Sequence, residues 1–195
     1  MTKVKICGLT RPQDVAQAVA CGADFVGFVL APSRRQVSLA RAVELLAHLN
    51  HPGQAVAVVV DVSWDTLQQV REAGFEWVQC HGRVPENLPA GLQGWRAASG
   101  EHWNGAESLS APWWTWLLDG PQSGSGVGFN WSRLVLGEQH RIFVAGGLNV
   151  DNVKEVVDRV RPFGVDVSSG VENAPGIKDA ELVRAFIERT KNGHH

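Results

Sequence analysis

Short apolar segments alternate with longer segments of mixed polarity along the chain. Residues 25–30 and 55–60 are almost continuously apolar, which is typical of strands buried on both faces. Elsewhere apolar residues recur every three or four positions, as at Leu39, Val43 and Leu46, and predict helices with one buried face. The pattern predicts eight strands, at residues 4–7, 25–30, 55–60, 77–80, 95–98, 114–118, 141–145 and 164–167.

Local signals predict where several helices begin and end. Pro12 suits the first turn of a helix, and Thr10 with Gln13 has the spacing of a capping box. Gly22 is expected to end that helix, and Asn149 is expected to cap the helix before the eighth strand. Further helices are predicted at residues 63–73, 131–136 and 179–189, and residues 120–128, rich in Gly and Ser, are predicted to form a loop.

The alternation of strands and helices predicts the fold class. Continuously apolar strands separated by helices favour parallel pairing under a helical cover. Eight such units predict an α/β protein with one closed (β/α)₈ barrel, a TIM barrel, and no linker divides residues 1–195 into more than one domain. An open doubly wound sheet is the alternative, but it would not place the seventh and eighth strands beside the first. Residues 83–110 contain several Pro and Gly residues, so a reduced helical segment is expected there.

Composition and charge exclude several classes of partner. The formal net charge of −2 is spread along the chain, so no basic stripe predicts nucleic-acid binding. No apolar segment is long enough to predict a membrane span, and residues 1–5 precede no apolar region of a secretory signal. Three cysteines, an odd number at spacings of no common metal motif, favour a reducing, cytoplasmic location. The sequence leaves open whether the protein is a monomer or a homodimer.

Two glycine-containing loops predict a phosphate site. In barrels of this kind, functional residues gather at the carboxyl ends of the strands. Gly146 and Gly147 follow the seventh strand, and Ser168, Ser169 and Gly170 follow the eighth. Backbone N–H groups and hydroxyls in such loops can bind a phosphate. Either loop alone could equally be a tight turn, because glycine is common in turns; their succession favours phosphate binding.

Cys7 and Asp119, each at the end of a strand, are candidates for proton transfer. A buried cysteine is more often a small apolar residue, and catalysis needs help in forming the thiolate. Lys5, two residues earlier on the same side of the strand, could supply that help or pair with a carboxylate of the barrel. Asp119 follows a strand of mainly apolar and aromatic residues, a setting that favours a protonated general acid, although a cap or ion pair is the alternative.

Other strand ends carry charged and polar residues. Arg35 could bind a substrate carboxylate with two hydrogen bonds, although adjacent arginines such as Arg34 and Arg35 are often a solvated surface pair. Asp61 and His81 are predicted to lie at the same end of the barrel. No second histidine is placed to complete a site with them, so no metal is expected.

Several motifs, taken together, resemble phosphoribosylanthranilate isomerase, a family of tryptophan biosynthesis. The resemblance runs from residue 3 to about residue 187, and the first and last motifs are its most specific parts. The motifs occupy residues 5–10 (Lys-Ile-Cys-Gly-Leu-Thr), 22–24, 27–28, 33–35, 78–82, 117–119, 129–131, 145–148 and 165–172 (Val-Asp-Val-Ser-Ser-Gly-Val-Glu).

The resemblance implies an activity and assigns roles to residues. It implies a cofactor-free Amadori rearrangement of N-(5-phosphoribosyl)anthranilate, with Asp119 as general acid and Cys7 as general base. Arg35 matches the arginine that binds the anthranilate carboxylate, and Asp166 is expected near the amine or hydroxyl groups of the substrate. The resemblance assigns the phosphate to Gly146, Gly147, Ser168, Ser169 and Gly170.

Two other functions remain as alternatives from the sequence. The first is another phosphosugar isomerase or epimerase; the metal-dependent epimerases need His and Asp ligands that this chain lacks. The second is a phosphate-ligand sensor that has the fold without the activity. The presence of both Cys7 and Asp119 argues against the sensor.

Overall fold

The structure, a computed structural model, describes residues 1–103, 113–120, 131, 134, 136 and 141–192. Its main element is a closed barrel of eight parallel strands in chain order, which confirms the predicted fold class. The barrel closes where β8 pairs with β1, with Lys5 opposite Asp166. The strands are β1 (Lys3–Cys7), β2 (Phe25–Val29), β3 (Ala55–Val60), β4 (Trp77–His81), β5 (Gln93–Ser99), β6 (Trp113–Asp119), β7 (Ile142–Val144) and β8 (Gly164–Val167).

Five α-helices pack outside the barrel in the described residues: α1 (Pro12–Ala20), α2 (Leu39–Leu46), α3 (Trp64–Glu72), α4 (Val153–Val160) and α5 (Ala180–Lys191). Between β4 and β5, residues 82–92 are all described and contain no α-helix, as the breakers in that segment predict. The helix predicted at 131–136 and the loop predicted at 120–128 lie largely outside the described residues. No described helix has the length and apolarity that crossing a membrane requires.

Two predicted caps are wrong, although Pro12 does begin α1. Arg11, not Thr10, is the N-cap of α1, and it makes no side-chain cap hydrogen bond. The Thr10 hydroxyl does not cap the helix and instead donates to the carbonyl of Gly176, 2.6 Å away. Asn149 lies three residues before the N-cap of α4, which is Asn152. Its side chain accepts from the N–H groups of residues 151 and 152, and so stabilises the turn that leads into the helix.

The segment after β8 forms a hairpin that the hydrophobic pattern does not predict. A 3₁₀ turn (Ser169–Val171) leads into β9 (Glu172–Ala174), which pairs antiparallel with β10 (Ile177–Lys178). Distant residues hold this hairpin: besides the Thr10 contact, Asp14 accepts from the N–H of Lys178 at 3.1 Å. Such short strands have no alternation to reveal them, so only the tertiary contacts define them.

Large aromatic rings fill the amino-terminal end of the barrel. They form a connected set of tilted and edge-on ring pairs with centroids 4.4–6.4 Å apart, a favoured arrangement. The set includes three of the eight tryptophans. Because these large rings fill the interior at this end, the barrel is closed here. The set is Phe25, Trp77, Trp95, Trp114, Phe143 and Phe163.

Candidate active site

A cavity of about 230 Å³ opens at the carboxyl ends of the strands. It brings together most of the residues that the sequence predicts for the site, from β1, β4, β6, β8 and the loops after β2, β7 and β8. These are Cys7, Arg35, His81, Asp119, Gly146, Gly147, Asp166, Ser168 and Ser169, and Gln79 lines the cavity with them. The remaining lining is largely apolar and includes Val29, Pro32, Val58 and Val60.

Three candidate residues do not line the cavity. Arg34 is exposed on the loop after β2. Asp61 is half exposed, in the left-handed region with φ +48°, and its carboxylate accepts from the N–H of Arg83 at 2.8 Å. Gly170 lies behind the cavity, where a Cβ atom would collide with the carbonyl oxygen of Leu148. The loops after β7 and β8 therefore pack backbone against backbone at this glycine.

Lys5 and Asp166 form a buried ion pair inside the barrel. The Lys5 ammonium is 3.0 Å from Asp166 Oδ1, and the lysine side chain is completely inaccessible. Burial disfavours the charge on Lys5, but the charges of Asp166 and Cys7 outweigh it and raise the pKa of Lys5. Burial raises the pKa of Asp166, and the neighbouring ammonium opposes that rise. The Lys5 ammonium therefore lies beneath the cavity, paired with the Asp166 carboxylate that lines it.

Cys7 ends β1 with its side chain in the cavity. A Cβ atom on Gly27 would lie 2.6 Å from the Cys7 sulfur and 3.1 Å from the Lys5 nitrogen, so the thiol and the ammonium share the space above this glycine. Burial raises the pKa of the Cys7 thiol, and Lys5 acts in the opposite direction. The Cys7 carbonyl accepts a hydrogen bond from the Ser168 hydroxyl at 3.1 Å, which ties β1 to the loop after β8.

Asp119 ends β6 and is nearly buried at 8% exposure. Its Oδ1 accepts a hydrogen bond of 2.8 Å from the N–H of Gly120. A Cβ atom on Gly146 would lie 2.9 Å from the same oxygen and 2.5 Å from the Gly120 nitrogen. Only glycine therefore lets the loop after β7 approach this carboxyl group so closely.

The two glycine-containing loops lie side by side in the cavity wall. Gly146 and Gly147 have φ values of +80° and +67°, so both occupy the left-handed region that glycine enters without strain. The Asn152 side chain donates to the Gly147 carbonyl at 2.9 Å and fixes the turn. After β8, Ser169 begins the 3₁₀ turn, whose first N–H groups have no acceptor within the turn itself. Adjacent loops with such donors suit a phosphate.

A network of charges holds Arg35 at the cavity rim. Its Nε and one Nη donate to the two carboxylate oxygens of Glu172, both at 2.8 Å. The same carboxylate accepts from the Lys178 ammonium at 2.7 Å, and Lys178 also donates to the Ser168 carbonyl at 3.0 Å. Although burial opposes it, hydrogen bonds from Arg35 and Lys178 lower the pKa of Glu172. Arg35 also lines the cavity, and its guanidinium has further N–H groups, not used by Glu172, that can bind a carboxylate.

His81 is a neutral residue of the cavity floor. Its Nε2 lies 2.8 Å from the side-chain nitrogen of Gln79, two residues earlier on β4. Burial and the nearby Lys5 charge lower the pKa of His81 to about 4. Cys80, between them, points into the outer core with a pKa raised by burial to about 12, as expected for a packing residue. Within the described ranges, no group of three His, Cys, Asp or Glu side chains is placed to hold a metal ion.

Sequence reasoning overlooked two residues of this site. Glu172 is part of a recognised motif but has no predicted role, and Lys178 lies in a segment without any predicted structure. The position of Glu172 at the end of the motif is the only feature of the sequence that indicates a role in the site. Lys178 has no local signal, because its three acceptor contacts, all to residues 168 and 172, depend on the hairpin.

Comparisons with known proteins show the family of the chain. The family profile described as N-(5'phosphoribosyl)anthranilate (PRA) isomerase matches residues 4–189. The N-(5'-phosphoribosyl)anthranilate isomerase of Streptococcus pneumoniae strain R6 is 43% identical over 200 aligned positions, covering 99% of this chain and 98% of its own.

Solved structures give the same result. The phosphoribosyl anthranilate isomerase of Thermus thermophilus superposes with a TM-score of 0.83 at 32% identity, over 97% of this chain and 98% of its own. A second isomerase structure, in complex with reduced 1-(o-carboxyphenylamino)-1-deoxyribulose 5-phosphate, has a TM-score of 0.79 at 30% identity, over 98% and 99% of the two chains. With its barrel, its cavity and these full-length matches, the chain belongs to the N-(5'-phosphoribosyl)anthranilate isomerase family.

Proposed function

We propose that this chain converts N-(5'-phosphoribosyl)anthranilate into 1-(o-carboxyphenylamino)-1-deoxyribulose 5-phosphate with the residues of the cavity, as a step of tryptophan biosynthesis. The observation that carries the proposal is that Cys7 and Asp119, on different strands, line one cavity together with both glycine-containing loops. The rearrangement needs one proton donated to the ring oxygen and another removed from C2, two atoms that are both bonded to C1, so a separate acid and base suit it.

Asp119 acts first, as the general acid. Its carboxyl proton goes to the ring oxygen of the ribose, the bond between that oxygen and C1 breaks, and the nitrogen lone pair forms a C1=N double bond. The surroundings of Asp119 fit this role, because the residue is nearly buried and its Oδ1 already accepts from Gly120, which orients the carboxyl group.

Cys7 acts second, as the general base. The thiolate takes the proton from C2, the electrons of that C–H bond form a C1=C2 double bond, and the C1=N electrons return to nitrogen. The resulting enolamine tautomerises to the ketone. Apart from the opening of the ring, this sequence consists of proton transfers, and it uses no cofactor.

The two ends of the substrate bind on different walls. The phosphate lies on the loops of Gly146 and Gly147 and of Ser168, Ser169 and Gly170, where backbone and hydroxyl donors converge. Gly170, which lies behind the cavity, contributes through the close packing of the two loops.

The anthranilate carboxylate binds the outer N–H groups of Arg35, which Glu172 already orients. Asp166 faces the substrate between the two ends, near its amine and hydroxyl groups. Binding energy gained at the phosphate and carboxylate positions the reacting carbons over Cys7.

Turnover of freshly prepared phosphoribosylanthranilate tests this proposal. The fluorescence of the anthranilate substrate should decay much faster with the purified protein than in buffer. A decay equal to the spontaneous background would contradict the proposal and favour a phosphate-ligand sensor or a different phosphosugar.

We further propose that residues 1–195 act as a single barrel domain in the cytoplasm, as a monomer or a homodimer. A phosphorylated, carboxylated substrate is retained where it is made, since such charges do not cross membranes unaided. One solved structure, 32% identical to this chain, is described as that of monomers generated from the dimeric phosphoribosylanthranilate isomerase of Thermotoga maritima. Light scattering on the purified protein distinguishes the two states.

A further inference from the structure

We propose that Lys5 is a positioning residue whose ammonium, shared between Asp166 and Cys7, is the counter-charge that stabilises the thiolate of Cys7. The inference rests on the proposed role of Cys7 as the base. Burial raises the pKa of the Cys7 thiol, and the Lys5 charge lowers the cost of forming the thiolate there. The proton leaves to solvent through the open cavity, and Lys5 keeps all of its own.

The geometry fixes the ammonium beside the sulfur. Lys5 and Cys7 are two residues apart on β1, so both side chains point to the barrel interior. Gly27 on the neighbouring strand leaves the space in which the two side chains meet. Below, the Lys5 ammonium lies 5.7 Å from the ring centre of Trp95, within the range of a cation–π contact. The lysine therefore cannot swing out into solvent.

The charges around Cys7 compete for this ammonium. Asp166 on β8 binds it at 3.0 Å and, as a carboxylate, disfavours a second negative charge on the sulfur. Lys178 on β10 also favours the thiolate, but its ammonium is already engaged by Glu172 at 2.7 Å.

Three further groups complete the surroundings of the thiol: Arg35 from the loop after β2, His81 on β4 and Asp119 on β6. Arg35 interacts with Cys7 by charge. His81, with its low pKa, is neutral near pH 7. Of the cations that act on the thiol, Lys5 has the strongest effect in favour of the thiolate. The balance between Asp166 and Lys5 therefore sets how readily the thiol ionises.

This arrangement predicts opposite effects for the two members of the ion pair. Lys5→Met removes the counter-charge and leaves the Asp166 carboxylate, so the thiolate should form only at higher pH. Asp166→Asn removes the competing carboxylate and leaves the ammonium to the sulfur, so the thiolate should form at lower pH. A residue with a purely structural role would not give shifts of opposite sign.

Alkylation of Cys7 by iodoacetamide across pH, read by mass spectrometry of the Cys7 peptide in the substrate-free protein, measures the thiolate directly. Below the midpoint of the wild-type profile, the rate should fall about tenfold in Lys5→Met, equivalent to a midpoint shift of about one pH unit, and rise severalfold in Asp166→Asn. Lys3→Met is the matched control: this lysine is on the same strand, but it pairs with Asp24 at 2.8 Å with 46% of its side chain exposed, and its loss should leave the profile unchanged.

Circular dichroism establishes that each variant is folded. If Lys5→Met is too unstable to measure, Asp166→Asn alone still tests the proposal. A midpoint of its alkylation profile that is equal to or higher than that of the wild type would overturn the proposal. Equal profiles for wild type and Lys5→Met would also overturn it. These measurements need no substrate, so a protein without isomerase activity could still support the Lys5 inference, and a fully active one could still contradict it.

Discussion

The guanidinium of Arg35 donates two hydrogen bonds, each of 2.8 Å, to the carboxylate of Glu172. The two residues are 137 positions apart in the chain, and both are largely shielded from solvent. The arginine therefore has a fixed orientation before any substrate arrives, and the carboxylate that orients it is held in turn by Lys178. Preorganisation of this kind lowers the cost of binding a substrate carboxylate.

Glu172→Gln should destabilise the protein by about 3 kcal/mol, because it leaves the buried Arg35 and Lys178 charges without their partner. The KM for phosphoribosylanthranilate should also rise, as Arg35 loses its orientation. Urea unfolding and steady-state kinetics measure the two effects. Glu44→Gln is the control: it removes an exposed ion pair with Arg41, at 2.7 Å, and should cost less than about 0.5 kcal/mol.

The ion pairs of Glu172 also make the stability of the protein depend on pH. The folded pKa of Glu172 is lower than its unfolded value, so its contribution to stability is present above about pH 4.3 and is lost as pH falls further. The difference in stability between wild type and Glu172→Gln should therefore shrink on acidification below that pH. A difference that grew instead would assign the stabilisation to another group.

Cys7→Ala and Asp119→Asn should each lower kcat by about 10²–10⁴-fold, because each removes one proton-transfer group. Binding of a reduced product analogue should survive in both, since neither residue belongs to the phosphate loops. Cys21→Ala serves as the control, because Cys21 lies at the end of α1, away from the cavity. Full turnover by either variant would refute the role assigned to that residue.

His81 should make the protein sensitive to mild acid. Its pKa is about 4 in the folded protein and about 6.5 when unfolded, so the unfolded state binds more protons between these values. Stability should fall as pH drops from about 6.5 to 4, by at most about 1.4 kcal/mol per pH unit. Urea unfolding of His81→Gln should show a smaller fall, whereas His48→Gln, on the surface, should behave as the wild type.

Gly170→Ala should raise the KM about tenfold, because the added Cβ would push the loop after β8 away from the Leu148 carbonyl and separate the two phosphate-binding loops. The alkylation profile of Cys7 should not change. As a control, Gly53→Ala meets only the flexible ends of the His51 and Glu76 side chains and should leave KM unaltered. A wild-type KM for Gly170→Ala would show that the loops tolerate separation.

Much of the fold is predictable from local pattern. Residues 55–60 and 164–167 are strands with the predicted bounds, and α2 begins at Leu39 as its apolar spacing indicates. Ordering along the chain then places Cys7 and Asp119 at one end of the barrel, because parallel strands share the direction of their carboxyl ends. The glycine pair after β7 is equally local, since positive φ angles favour glycine wherever the turn occurs.

Tertiary structure decided which charges pair. The sequence left Lys5 with two possible partners, and the register of β1 against β8 placed it on Asp166, 161 residues away, while Gly27 kept it beside Cys7. Thr10 does not cap α1 as predicted, because its hydroxyl binds Gly176 in the β9–β10 hairpin, which the hydrophobic pattern does not predict. The periodic pattern of apolar residues determines the barrel, because the free energy gained by burying apolar side chains is roughly additive along each strand and helix. Ion pairs between distant side chains depend on angstrom-scale approach, which exists only once the barrel has closed.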